Sequence, residues 1–252
     1  MSMLKDMFEA GAHFGHQTKF WNPKMKQYIY GVKNNIHIIN LDKTLSIFND
    51  VIKAVKQEIK SGGSVLFVGT RSQAKDIIAA EAIRCGMSYV NHRWFGGLLT
   101  NLETVQKSIK KLEHKKSLLE KADNGLTKKE ILNLEREVAK LEANFGGIKE
   151  LKTLPTMVFV VDNGHHKIAI EEANKLTVRG KGIKTVALVD TNNDPRGIDF
   201  VIPANDDSTK SIEYFVTKIS SAILEAKEEK LTTLVNDVKK VKLVEDENSS
   251  DE

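Results

Sequence analysis

The chain has 252 residues, 40% of them hydrophobic, a single cysteine and a formal net charge of +4. That apolar share is enough for a real core, and the length fits one α/β domain with an insertion or two small domains. Cys85 alone excludes an intramolecular disulfide and a cysteine-based metal cluster, and no apolar run approaches the roughly 18–20 residues of a membrane span.

The first ten residues carry mixed charges and no long apolar stretch, so no signal peptide is expected and a reducing, cytosolic setting is the default. Leu4 to Ala10 forms a short amphipathic stretch that leads into Gly11-Ala12-His13-Phe14-Gly15-His16. Between Lys19 and Lys33 basic and aromatic residues interleave: Lys19, Phe20, Trp21, Lys24, Lys26, Tyr28, Tyr30 and Lys33. Such interleaving suits phosphate contacts combined with stacking on bases or sugars. It equally suits an arm anchored to a core by its aromatics.

Ile36 to Asn40 reads as a short strand. From Leu41 the apolar residues Leu45, Phe48, Ile52, Val55 and Ile59 recur every three or four positions, an amphipathic helix ended by Gly62-Gly63. Ser64 to Val68 is an apolar strand, Gly69 to Gln73 turns it into a helix over 72–84, and Met87 to Val90 is a second strand. This βαβ unit implies a parallel sheet. The pattern then breaks at the loop Asn91 to Gly97.

Leu98 to Glu120 and Ile131 to Phe145 each carry a narrow apolar stripe among charged residues. They are joined by a turn at Asp123-Asn124-Gly125, and Thr127 to Glu130 is a capping box. Two such helices bury each other's stripes and little else, which predicts an antiparallel hairpin over 98–147 standing off the core; the alternative, one arm packed on the sheet, is disfavoured by the narrow stripes. Met157 to Val161, Lys184 to Asp190 and Phe200 to Pro203 continue the strands, with a helix over 166–176 and a long one starting near Asp207 or Ser208. After Lys230 the periodicity fades into an acidic end, so 231–252 is expected to be disordered. The resulting division is an α/β core of 1–97 plus 148–230, a hairpin of 98–147 and a tail.

Charge is unevenly spread. Residues 1–100 hold 13 Lys/Arg against 7 Asp/Glu, whereas 151–252 hold 14 against 18. The basic excess therefore sits in the first hundred residues, where a polyanion partner would be met.

The loops after parallel strands are where ligands bind, and none carries a catalytic signature. Gly69 to Lys75 lacks both the dinucleotide and the P-loop glycine patterns, although a lone arginine at a helix start can hold one phosphate. His13 with His16, and His165 with His166, form neither a zinc-protease motif nor a Cys/His cluster. They could approach a metal only if folding brought them to Asp42, Asp162 or Asp190. No catalytic residue, cofactor or metal is assigned.

The segments that resist an enzyme reading resemble the bacterial small-subunit ribosomal protein two family. Leu4 to His16 is similar to its N-terminal signature. So are Trp21 to Met25, Ile36 to Leu41, Phe67 to Arg71, Arg93 to Asn101, Pro155 to Ala173, Val189 to Pro195 and Asp199 to Asp207. The resemblance spans about residues 4 to 220, in the family's order. It implies a flavodoxin-like parallel sheet with helices on both faces and an inserted antiparallel coiled-coil hairpin. It implies a cytoplasmic, ribosome-associated structural protein, not an enzyme, that binds small-subunit ribosomal RNA, the first small-subunit ribosomal protein and neighbouring subunit proteins. Two places depart from the family pattern: His92 stands where Gln is expected, and 178–183 is longer and basic.

Lys19, Trp21, Lys24, Lys26, Lys33, Arg71, Arg93 and Trp94 are the expected RNA contacts. Lysines would neutralise phosphate, arginines would bridge it bidentately, and the tryptophans would stack. Packing against the core is the competing role for both tryptophans. Two other functions fit the same elements: a nucleotide-using enzyme on this fold, and a scaffold whose hairpin recruits a protein.

Overall fold

Alternation along the central strands explains the architecture. In the computed structural model, Val65, Phe67, Met157, Phe159, Val161, Val186 and Leu188 join one buried cluster, while Leu66, Val68, Val158, Val160, Ala187 and Val189 join another. Strands apolar on both faces need cover on both faces, as in doubly wound sheets. The structure describes residues 3–120 and 127–248, and the side chains of these except 181 and 234–248.

Helix α1 (Met3–Glu9) leads to β1 (Phe14–Gln17), two 3-10 turns (Thr18–Phe20 and Pro23–Tyr28), β2 (Ile29–Lys33) and β3 (Ile36–Ile39). Then follow α2 (Leu41–Lys60), β4 (Val65–Val68), α3 (Lys75–Cys85) and β5 (Ser88–Val90). The hairpin helices α4 (Leu102–Glu120) and α5 (Lys128–Phe145) come next. The chain ends with β6 (Met157–Val161), α6 (Lys167–Leu176), β7 (Lys184–Val189), β8 (Phe200–Pro203) and α7 (Thr209–Asn248).

The five-stranded sheet is all parallel, in the order β5-β4-β6-β7-β8. Numbered within the sheet this is 2-1-3-4-5, the flavodoxin-like order, whose direction reverses between β4 and β6. One face is covered by α2, α3 and α7, through residues such as Phe48, Ile78 and Phe215. The other is covered by α6 and by the root of the hairpin, through Ile170, Leu98, Leu99, Val105 and Ile109.

That second face corrects the expectation of a hairpin standing clear of the core. Leu98 and Leu99 are turn residues buried in the core, the helix starts at Leu102, and the first half of α4 lies on the sheet side. The connection from β5 to β6 takes the place of a crossover helix, so its root must supply the apolar cover. No residue of α5 is buried; it packs along α4, capped at its start by Thr127 and Glu130. The turn expected at 123–125 lies outside the described residues.

The N-terminal arm forms a three-stranded antiparallel sheet, β1-β3-β2. Asn34 and Asn35 both have positive φ, 51° and 59°, the two-residue turn that matches the twist of a hairpin. Helix α7 continues as helix to Asn248, through residues expected to form a disordered tail. It contains no Gly or Pro, and its Lys, Glu and Leu are good helix formers.

Candidate functional site

In an open parallel sheet the ligand crevice lies beyond the C-terminal ends of the strands at the reversal point, here between β4 and β6. Beside this crevice the chain lays its own arm over the loops that follow β7 and β8. Asn205 N–H donates to the Ala12 carbonyl at 3.1 Å, and Asn22 N–H donates to the Thr191 carbonyl at 2.8 Å. Between these ties, His16 N–H donates to Thr191 Oγ1 at 2.8 Å. Gly15 is required there: a Cβ would stand 2.6 Å from Thr191 Cγ2.

The His16 ring bridges two loops, with Nδ1 3.1 Å from Asp190 Oδ2 and Nε2 3.2 Å from Asp207 Oδ2. Asp190 is 1% exposed and its Oδ1 accepts from Thr191 N–H and Oγ1. The hydrogen bond to Asp190 raises the His16 pKa to about 9, against an opposing effect of burial. Burial raises the pKa of Asp206 to about 8, helped by the negative charges of Asp190, Asp162 and Asp207. Arg71 neutralises part of this crowd: its Nε is 2.5 Å from Asp162 Oδ2 and its Nη1 3.4 Å from Asp207 Oδ1.

His166, after β6, locks the floor. Its Nδ1 lies 3.0 Å from the Val161 carbonyl and 2.9 Å from the Asp162 carbonyl, so that nitrogen carries the hydrogen. Its Nε2 then accepts from Thr70 Oγ1 at 3.0 Å. Burial lowers the His166 pKa. Asp162 itself sits at φ 61°, a conformation that aims its carboxylate at His165 N–H and Arg71.

Chemically this is an acidic cluster, partly neutralised by His16 and Arg71. Four aspartates form it, and its arginine is already paired, so a nucleotide phosphate would meet net repulsion. His16, Asp206 and Asp207 bring one ligand atom each to within 4.8 Å of one another and could hold a divalent ion. In that state the ring nitrogen would be unprotonated and Asp206 ionised.

The expected RNA contacts separate into two groups. Lys19, Lys24, Lys26 and Lys33 are exposed on the arm, and Arg93 is exposed before the hairpin. Lys19 Nζ lies 4.7 Å over the Phe20 ring. Lys24 pairs with Asp194 at 2.9 Å, and that carboxylate, also bound by Arg196, is held well below the usual range. Lys26, Lys33 and Arg93 make no ion pair among the described residues. The others are engaged by the fold: Arg71 is exposed but paired with Asp162 and Asp207, the half-buried Trp21 lies tilted 5.2 Å from the His37 ring, and the half-buried Trp94 donates its Nε1 hydrogen to Glu172 Oε1 at 3.2 Å. The segment 178–183 is an exposed turn at Val178, Arg179 and Gly180, with Gly180 and Gly182 at positive φ.

Sequence reasoning left out Thr191, Asp206, Asp207 and Glu172. Asp190, Asp206 and Asp207 each follow a strand end, which was the available signal; Glu172 sits mid-helix with no local signal.

A flavodoxin-like core with its own arm clamped to the loops after β7 and β8, and a helical hairpin rooted on one face, defines a structural α/β protein that presents basic elements at its surface. Residues 7–226 match the family described as Ribosomal protein S2. The chain belongs to that family: it is a structural, non-catalytic, RNA-binding constituent of the small ribosomal subunit and supports translation, with the RNA and protein partners this implies. Among the described residues no helix is long and apolar enough to cross a membrane.

Proposed function

We propose that the N-terminal arm is the principal surface offered to small-subunit ribosomal RNA, through Lys19, Lys24, Lys26 and Lys33, with Arg93 adding a contact near the hairpin root. The observation that carries this is the pairing of exposed, basic side chains with a backbone clamped to the loops after β7 and β8. A phosphate-binding lysine is most effective when its backbone is fixed in advance, because less ordering accompanies binding. Trp21 and Trp94 position this surface from within rather than stacking on bases, and Arg71 acts through the crevice.

The same arm supports a protein contact. Of the large apolar side chains exposed among the described residues, Phe8, Phe14, Phe20, Tyr30 and Val32 lie on it. Clustered exposed aromatics are typical of docking surfaces. They suit docking of the first small-subunit ribosomal protein and of neighbouring subunit proteins, in a cytoplasmic, ribosome-bound particle.

The test is the salt dependence of binding to small-subunit RNA. Each lysine that neutralises a phosphate contributes a little under one to the slope of log K against log salt. Lys26→Glu and Lys33→Glu should each lower affinity across RNA sequences and shallow the slope by about one. Slopes equal to wild type in both variants would remove the arm from the interface.

A further inference from the structure

The hairpin root holds a buried carboxylate with a single evident task. Glu172, on α6, is 8% exposed and makes no ion pair among the described residues. Five donors converge on it, all from the loop that launches the hairpin. Trp94 Nε1 and Gly97 N–H donate to Oε1 at 3.2 and 2.7 Å. Leu99 N–H, Thr100 N–H and Thr100 Oγ1 donate to Oε2 at 3.0, 3.2 and 3.3 Å.

The returning chain is fixed independently. Gly147 packs so close to β5 that a Cβ would stand 2.3 Å from the Tyr89 carbonyl oxygen. Phe145 stacks on Phe95 at 5.5 Å, tying the return to the launch loop. Gln106 Nε2, in the first turns of α4, donates to the Lys152 carbonyl at 2.8 Å. Thus both strands of the root are located relative to the sheet, the outgoing one by the burial of Leu98 and Leu99 and, for its backbone N–H groups, by the single carboxylate of Glu172.

We propose that Glu172 is a positioning residue that sets the angle at which the hairpin leaves the core, and through it the joint presentation of the hairpin and Arg93 to ribosomal RNA. The part concerning RNA rests on the function proposed above. A charged acceptor gathering backbone N–H groups is stronger than neutral pairing and cannot be replaced by an amide, whose NH2 would face those same donors.

The full-length chain carries nitroxide labels at Glu113→Cys on α4 and Lys53→Cys on α2, with the buried Cys85 changed to Ala, and the label-to-label distance distribution is measured without RNA. Glu172→Gln should broaden and shift the distribution while circular dichroism retains the folded spectrum. Exchange of the Gly97, Leu99 and Thr100 amides should accelerate by roughly tenfold or more. Glu172→Asp, which keeps the charge, should recover part of both readouts. If Glu172→Gln does not fold, Trp94→Phe and Thr100→Val, which each remove one donor, should give smaller broadening of the same kind. Unchanged distributions in the folded variants overturn the proposal. Altered distributions with wild-type RNA affinity would retain the anchor but overturn its role in presenting the hairpin and Arg93 to RNA. The arm's own contact is read separately from the Lys26 and Lys33 variants.

Discussion

Gly15→Ala tests whether the arm depends on its seat against Thr191, after β7. The new Cβ would fall 2.6 Å from Thr191 Cγ2, 2.7 Å from Thr191 Oγ1 and 3.1 Å from the His37 carbonyl oxygen. Carbon atoms pack best at about 3.5–4.0 Å, so the arm must retreat by about 1 Å. Two contacts lie at that point: His16 N–H to Thr191 Oγ1, and the charged His16–Asp190 pair. A neutral hydrogen bond contributes about 1 kcal/mol and one to a charged group about 1.5–3 kcal/mol, so the loss should be about 2–4 kcal/mol. Urea denaturation measures the global share of this loss; hydrogen exchange at the His16 and Ile39 amides measures the local share. Thr191→Ala removes the colliding methyl and the hydroxyl together. It should cost stability alone yet recover part of it when added to Gly15→Ala, a coupling that a double-mutant cycle isolates. A Gly15→Ala protein with wild-type stability and unchanged protection at both amides would refute the reasoning.

Other outcomes follow from single contacts. Gly147→Ala should cost about 1–3 kcal/mol in urea denaturation, because the Tyr89 carbonyl it meets is strand backbone that cannot move aside. Thr127→Ala removes the cap of α5, whose side chain accepts from Glu130 N–H, and should reduce hairpin helicity in circular dichroism by an amount equivalent to about 1 kcal/mol. His166 is held neutral by burial, with His165 opposing its protonation and Asp162, itself paired with Arg71, favouring it. Its folded pKa is below its unfolded value, so its contribution to stability is complete above the unfolded pKa of about 6.5. It is lost as pH falls toward the lower folded value. Replacing it with Asn, which cannot titrate there, should flatten that acid limb of the stability curve.

The parallel sheet was legible because its strands are uniformly apolar and short, as at Val65 to Val68 and Met157 to Val161, and separated by helices of clear period. The N-terminal sheet was not, apart from β3. Its strands are half-exposed, bulged and interrupted by basic and aromatic residues, which hid the alternation. The Asn34-Asn35 pair was the missed sign of a hairpin turn. The hairpin was legible as two amphipathic helices, but its root was not. Leu98 looks like the first residue of a helical stripe, and only the unfilled face of the sheet makes it core.

The site divides in the same way. Exposed lysines on the arm could be read from composition, because solvent-facing charge needs no partner. Arg71 and Trp94 could not be separated from them, since their acceptors, Asp162, Asp207 and Glu172, lie far along the chain. The histidines were left with a conditional approach to Asp42, Asp162 or Asp190, and folding joins His16 to Asp190. Asp207, its second partner, was not anticipated.

The most direct test of the central claim is a cross-linking map of protein–RNA adducts in assembled small subunits containing the full-length chain. The arm's exposed lysines, Lys19, Lys26 and Lys33, together with Arg93, should carry the dominant RNA adducts, with fewer at Arg71, whose guanidinium is held by Asp162 and Asp207, and at the half-buried Trp94. Adducts confined to the outer surface of the hairpin, with the arm unmodified, would contradict the account.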